Sequence, residues 1–217
     1  MIDFHMHTFF SDGELLPSEL MQRAKTNGYT AMAMTDHADN SNIADLLAKY
    51  IEFTKVNENY SDIIVIPGVE ITHVVPSLIS LCVQESRKLG AKIVGVHGET
   101  IVEPVPEGTN RAAIEAGVDF LAHPGLISED DVRLAAQKGV CLELTTRRGH
   151  SLSNGHVAKL AKKYGAKLIL NTDSHSPSDL ISDSFRDKVI FGAGLDSDDL
   201  KQIIKNSQEL ISKLLNK

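Results

Sequence analysis

Ile2-Asp3-Phe4-His5-Met6-His7 is a short strand-like run that ends on two histidines, and the rest of the chain repeats its plan. Thr30–Thr35 leads into Asp36-His37, Ile63–Glu70 ends on a glutamate, and Ile93–His97 ends on a histidine. Phe120–His123 ends on a histidine before Pro124, and Lys167–Asn171 runs into Asp173-Ser174-His175. Only Val140–Leu144 lacks an obvious metal ligand at its end. Helical patterns lie between these runs. Pro17 suits a first helical turn and Gly28 the end of that helix; Ser128 with Asp131 resembles a capping box, closed by Gly139. Gly117 and Gly165 suit two more C-terminal caps. Such alternation, with no linker, low-complexity segment or repeat, predicts parallel βαβ units in a single domain over 1–217. The expected fold is α/β, a TIM-like (β/α) barrel of seven strands, with a doubly wound open sheet as the alternative.

A last helix is expected over about 197–215, where Ser197-Asp198-Asp199 put acids at the positive end of its dipole. Leu200, Ile203, Ile204, Leu210, Ile211 and Leu214 form one apolar stripe on it, expected to pack on the barrel exterior.

Six of the seven strands thus deliver a His, Asp or Glu at the C-terminal end, which is where barrels of this class carry their active sites. In His5-x-His7 the strand period of two puts both imidazoles on one face, able to bind a single ion from the barrel interior. Asp173-x-His175 repeats the spacing past the last strand, where a turn can send the two side chains to different ions. Asp12 lies in Phe10-Ser11-Asp12-Gly13, whose glycine permits a tight return toward the site. Unpaired polar groups gathered at a barrel mouth are costly without a shared partner, and metal ions supply one.

Composition narrows the functional classes. No apolar run reaches the roughly 18–20 residues of a membrane span, and the N-terminus has no basic region followed by an apolar one, so no signal peptide is expected. Cys82 and Cys141 have neither metal-type nor redox-type spacing and read as buried thiols of a cytoplasmic protein. A net charge of −7 with no basic stripe argues against a dedicated nucleic-acid binder, although bound cations can change the charge of a site. Nine histidines against no tryptophan direct attention to metal chemistry.

His5-x-His7-Thr8 with Ser11-Asp12-Gly13, then Thr35-Asp36-His37, Pro67-Gly68-Val69-Glu70, His97, His123-Pro124 and Asp173-Ser174-His175 resemble the PHP (polymerase and histidinol phosphatase) family. The match is spread over 1–180, and its order and spacing are far more specific than a lone HxH. The resemblance implies a distorted seven-stranded barrel with two or three divalent ions, Zn, Mn or Fe. It implies that His5, His7, Glu70 and Asp173 hold one ion. Glu70 would bridge to a second, completed by His97 and His123, while Asp12, His37 and His175 would hold a third. Position 12 is histidine in some members and aspartate here, which bears on the third site's affinity and metal preference.

The implied chemistry is phosphate-ester hydrolysis by a metal-bridging hydroxide held over Glu70 and Asp173, without a protein nucleophile. Arg147 and Arg148, after the sixth strand, and Arg111, after the fourth, are candidate phosphate binders. His73, His150 and His156 match no family ligand, and His150, close to the arginines, is a candidate to protonate the leaving group. The leading expectation is a phosphomonoesterase of the histidinol-phosphatase kind acting on a small phosphorylated metabolite. A nuclease or phosphodiesterase is the alternative. A metal-binding accessory protein without catalysis would predict missing ligands, and all nine positions are filled. The sequence sets neither the substrate nor an oligomeric state.

Overall fold

The computed structural model describes residues 1–59 and 61–216. In chain order its elements are β1 (Ile2–Asp3), α1 (Pro17–Thr26), β2 (Ala31–Met34), β3 (His37–Ala38), α2 (Ile43–Asn57), β4 (Ile64–Ile71), α3 (Pro76–Lys88) and β5 (Ile93–His97). There follow α4 (Thr109–Ala116), β6 (Phe120–Ala122), α5 (Glu129–Lys138), β7 (Cys141–Thr145), α6 (Asn154–Tyr164), β8 (Leu168–Asn171), α7 (Asp183–Gly192) and α8 (Ser197–Leu215). All strand pairs are parallel, and β2 and β3 are two pieces of one stave. Both pair with β4, Ala31 opposite Ile64 and His37 opposite Glu70. Seven staves therefore stand in sequence order, without the reversal that defines a doubly wound sheet.

First and last staves nearly close the barrel. Met6 bridges Ser174 in parallel, and the His7 amide donates to the Ser174 carbonyl at 2.8 Å. Side chains complete the seam: Asn171 Oδ1 accepts from the Phe4 amide at 2.9 Å, and Asp3 Oδ2 from the Thr172 amide at 3.0 Å. The first strand was expected to reach His7, but regular pairing ends at Asp3. Side chains take over the ladder there, Asp3 Oδ1 accepting from the His5 amide and Thr35 Oγ1 from the Met6 amide. The fifth expected strand likewise stops one residue early, because His123 turns into a positive φ of 23°.

Strand alternation divides the core. Inward residues such as Phe4, Ile66, Ile93, Phe120 and Ile169 form one cluster, and their outward neighbours, Val94, Leu121, Leu142 and Leu170 among them, form a larger one with the helices. Gly68 and Gly95 lie on the inward face. A Cβ on Gly95 would lie 2.3 Å from the Phe120 ring and one on Gly68 2.4 Å from Ile93, so these glycines make room for the large residues.

The last helix departs from expectation in part: Ile203, with Leu200 against it, packs in the outer cluster as expected, but the second half of the stripe does not. Leu210, Ile211 and Leu214 join the inward cluster instead of an outer wall, and Asn206 Nδ2 donates to the Leu168 carbonyl at the start of β8. The helix thus closes the N-terminal end of the barrel, opposite the ligand-bearing end. Burial of each such side chain stabilises by about 1.5–3 kcal/mol, which an open apolar mouth would forfeit. Its start is a capping box in which Asp196 Oδ1 accepts from the Asp198 and Asp199 amides. At α5 Ser128 accepts from the Asp131 amide but donates its hydroxyl to the Asp131 carboxylate. Both cysteines are buried free thiols, and burial pushes Cys141 up to about 11. Among the described residues no helix is long and apolar enough to cross a membrane.

Candidate metal centre

The ends of the strands set the nine side chains. His5 and His7 follow β1, Asp12 sits in the loop to α1, and His37 lies on β3. Glu70 is on β4, His97 ends β5, His123 follows β6, and Asp173 and His175 follow β8. His123 and Asp173 adopt positive φ values of 23° and 54°, a strained backbone for non-glycine residues that recurs at functional sites. Gly13 has a different role from a left-handed turn: a Cβ there would lie 2.5 Å from the His7 carbonyl, so the loop returns against the backbone of the first ligands.

Their donor atoms fall into overlapping groups within 4.8 Å: His5, His7 and Glu70; Glu70, His97 and His123; His5, His123 and Asp173; and His7, Asp12, His37 and His175. All nine residues are brought together. The grouping differs in detail from the implied one, since His7 also joins the Asp12 group and Asp173 also meets His123. Metal bonds of about 2.0–2.2 Å separate adjacent ligand atoms by about 3.0–3.6 Å. His5 Nε2 lies 3.2 Å from Glu70 Oε1, His7 Nε2 3.3 Å from Asp173 Oδ1, and His175 Nε2 3.2 Å from Asp12 Oδ1. His123 Nε2 lies 3.6 Å from both Glu70 Oε1 and Asp173 Oδ2.

These atoms are close without being hydrogen-bonded. His5 Nε2, both nitrogens of His7 and Glu70 Oε1 are buried with no hydrogen-bond partner among the described residues. Left so, each would cost about 1–3 kcal/mol. They aim at common points, and an all-imidazole and carboxylate donor set fits divalent ions such as Zn, Mn or Fe.

Electrostatics follow the geometry. Burial would lower His5, but Glu143, Glu70 and Asp173 outweigh it and hold it well above its ordinary value. Burial, with His37 and His5 nearby, holds His7 well below its ordinary value. Burial raises Asp173 to about 6 against the pull of His5. His37 reaches about 10 because Asp12 and Glu70 overcome its burial. An imidazole binds a metal only when deprotonated, so an arriving ion would displace protons from both His5 and His37, and affinity is expected to rise with pH. Calorimetry in buffers of different ionisation enthalpy is expected to show net proton release on metal binding, His37 contributing to it; no release would contradict the assignment.

Sequence reading passed over Glu143, on the one strand that seemed to carry no ligand. It is fully buried on β7, and its Oε2 lies 2.9 Å from His5 Nδ1 and accepts from Asn171 Nδ2 at 2.7 Å. Its Oε1 accepts from the His123 amide at 3.1 Å. The carboxylate thus fixes the His5 ring with Nε2 toward the centre. A charge in the middle of Cys141-Leu142-Glu143-Leu144, on the inward parity, was the available signal. Glu143→Gln is expected to weaken metal affinity about 10–100-fold in a competitive chelator titration. An unchanged affinity would reduce Glu143 to packing.

Asp36 is not part of the cluster but organises it. It accepts bonds from the Thr8 and Ser11 amides, from both hydroxyls of those residues and from Tyr50, pinning the loop that carries Asp12.

The expected substrate residues separate. Arg111 lies on α4 and pairs with Asp131 of α5, and among the described residues no ion pair joins it to the nine candidate ligands. Arg147 leans 3.5 Å from Asp179, whose carboxylate also accepts from the His175 and Ser176 amides. Arg148 is exposed and makes no ion pair among the described residues. His156 Nε2 meets the Ile127 carbonyl, a structural contact. His150 stacks on His123 with ring centroids 4.2 Å apart, and its Nδ1 lies 2.7 Å from Thr100 Oγ1. Burial lowers His150 to about 4 against the pull of Glu103, with His97 adding to the decrease. Glu103, also passed over, comes within 3.0 Å of His97.

Similarity to known proteins is extensive. A family profile described as PHP domain matches residues 3–213. An uncharacterized protein of Methanocaldococcus jannaschii is 46% identical over 98% of this chain and 99% of its own length. A probable phosphatase of Acetivibrio thermocellus is 27% identical, covering 81% of this chain and 79% of that protein. A chain in the cryo-EM structure of archaeal ribonuclease P with mature tRNA superposes with a TM-score of 0.72. It covers 97% of this chain and 90% of its own at 20% identity, a likeness of fold.

Proposed function

We propose, from the premise that this chain belongs to the PHP domain family, that it is a metal-dependent phosphoesterase acting on a small phosphorylated metabolite as a phosphomonoester, in the manner of a histidinol phosphatase. The observation that carries this reading is the set of overlapping donor groups with Glu70 shared between two of them. His5, His7, Glu70 and Asp173 would hold one ion, Glu70, His97 and His123 a second, and Asp12, His37 and His175 a third. When bound, adjacent divalent ions bring the pKa of water toward neutrality and clamp the oxygens of an in-line displacement.

The chain's own residues orient and bind. Glu70 and Asp173 hold the centre from opposite sides of the barrel mouth, and Glu143 and Asp36 keep the ligands in place. Arg148, unpaired at the rim, is suited to a phosphate oxygen, whereas Arg147 is held by Asp179 and Arg111 by Asp131. His150, neutral near pH 7, is poorly matched to general-acid duty and instead offers a neutral imidazole to Glu103. Arg148→Ala is expected to raise KM about tenfold, the loss of about 1.4 kcal/mol of charge-assisted bonding, with kcat little changed. An equal fall in kcat at constant KM would place that arginine in the transition state alone.

The test of the substrate class compares Mn-loaded enzyme on p-nitrophenyl phosphate, bis-p-nitrophenyl phosphate and a single-stranded RNA. Dominant monoester turnover is expected. Faster cleavage of the diester or the RNA would replace this reading with a phosphodiesterase.

A further inference from the structure

His73 and Glu103 belong to no group so far given a role, yet both turn toward the centre. Glu103, in the loop between β5 and α4, places Oε2 3.0 Å from His97 Nε2 and 3.3 Å from His73 Nε2. Its other oxygen lies 3.3 Å from His150 Nε2, and Thr100 at the far side of that ring keeps it in position. His73 holds a left-handed backbone, φ 53°, which a histidine adopts at a cost, and its ring meets that of His97 edge-on at 4.9 Å. Donor atoms of His73, His97 and Glu103 fall within 4.8 Å of one another, at the spacing of ligands around one divalent ion.

Exposure separates this group from the neighbouring set of Glu70, His97 and His123. Glu70 and His123 are sealed from water and His97 is 2% exposed, whereas His73 is 40% and Glu103 36% exposed. His97 is the member common to the outer group and to the Glu70 and His123 group. One imidazole nitrogen binds one ion at a time, and a half-open set of three ligands is a weaker resting place than a sealed one.

We propose that His73 and Glu103 form a capture position for divalent cations at the mouth of the barrel, from which His97 passes the ion inward to Glu70 and His123. The proposal rests on the metal-centre reading. An exposed carboxylate at the mouth raises the local concentration of cations, and the shared ring removes the need for the ion to leave one site before meeting the next.

The test follows Co(II) uptake by the metal-stripped full chain, by visible absorbance in stopped flow, with equilibrium stoichiometry from dialysis. Glu103→Gln and His73→Asn, the latter compatible with the left-handed backbone, are each expected to slow uptake about tenfold. The number of ions bound and the final spectrum should match the unaltered protein, and circular dichroism should confirm an intact fold. Unchanged uptake rates in both variants would overturn the proposal. A lost ion or a changed final spectrum would make Glu103 a permanent ligand and overturn it as well. Failure of the unaltered protein to bind Co(II) would overturn the metal-centre reading itself.

Discussion

Glu70→Gln is expected to lower kcat/KM for a phosphate monoester by about 10³–10⁴-fold, a loss of about 4–5.5 kcal/mol of transition-state stabilisation. Glu70 is fully buried on β4, and its oxygens reach His5 at 3.2 Å, His37 at 2.8 Å and His123 at 3.6 Å. His5 and His97 hold it ionised against its burial. An amide keeps the shape but loses the charge and one acceptor, so two of the ligand groups lose their common anion together. Metal content and turnover are expected to fall in parallel. A variant that keeps full metal content and activity would remove Glu70 from the bridging position.

Gly125→Ala is expected to destabilise the fold by about 3–5 kcal/mol, measured by denaturant unfolding without added metal. Gly125 sits at φ 61°, and a Cβ there would lie 1.8 Å from the Glu99 carbonyl oxygen and 2.8 Å from its carbon. Those atoms are backbone and cannot swing aside. The left-handed conformation adds about 1–2 kcal/mol for a residue with a Cβ. The contact also matters to the site, because Glu99 and Asn110 exchange hydrogen bonds and Asn110 Nδ2 donates to the Pro124 carbonyl. That network ties the loop after His97 to the loop after His123. Gly28→Ala is the control: at φ 83° with nothing within 4 Å, it should cost only the backbone share, about 1–2 kcal/mol. Equal costs at the two positions would contradict the steric account.

The candidate ligands could be picked out in sequence because strand ends repeat a chemical type, as at His5, Glu70 and His97, and because order and spacing resemble one family. The staves were legible because parallel strands buried on both faces read as continuous apolar runs. What escaped has physical reasons. Glu143 lies inside a strand, where one sequence offers no partner to identify it until His5 is brought beside it by the barrel's closure. Glu103 sits in a loop whose course is set by tertiary contacts and not by local pattern. The stripe of the last helix announced an apolar face but not its destination, since wall and floor of a barrel are equally apolar. The arginines were readable as candidate phosphate binders, but their neighbours Asp131 and Asp179 come from other elements.

The claim that the cluster binds catalytic metal is tested most directly by elemental analysis alongside phosphate release, on protein as purified, after chelation, and after reloading with Mn, Fe or Zn. The account predicts about two or three ions per chain, lost together with monoester hydrolysis and regained together with it. Undiminished hydrolysis by protein stripped of all divalent metal would contradict it.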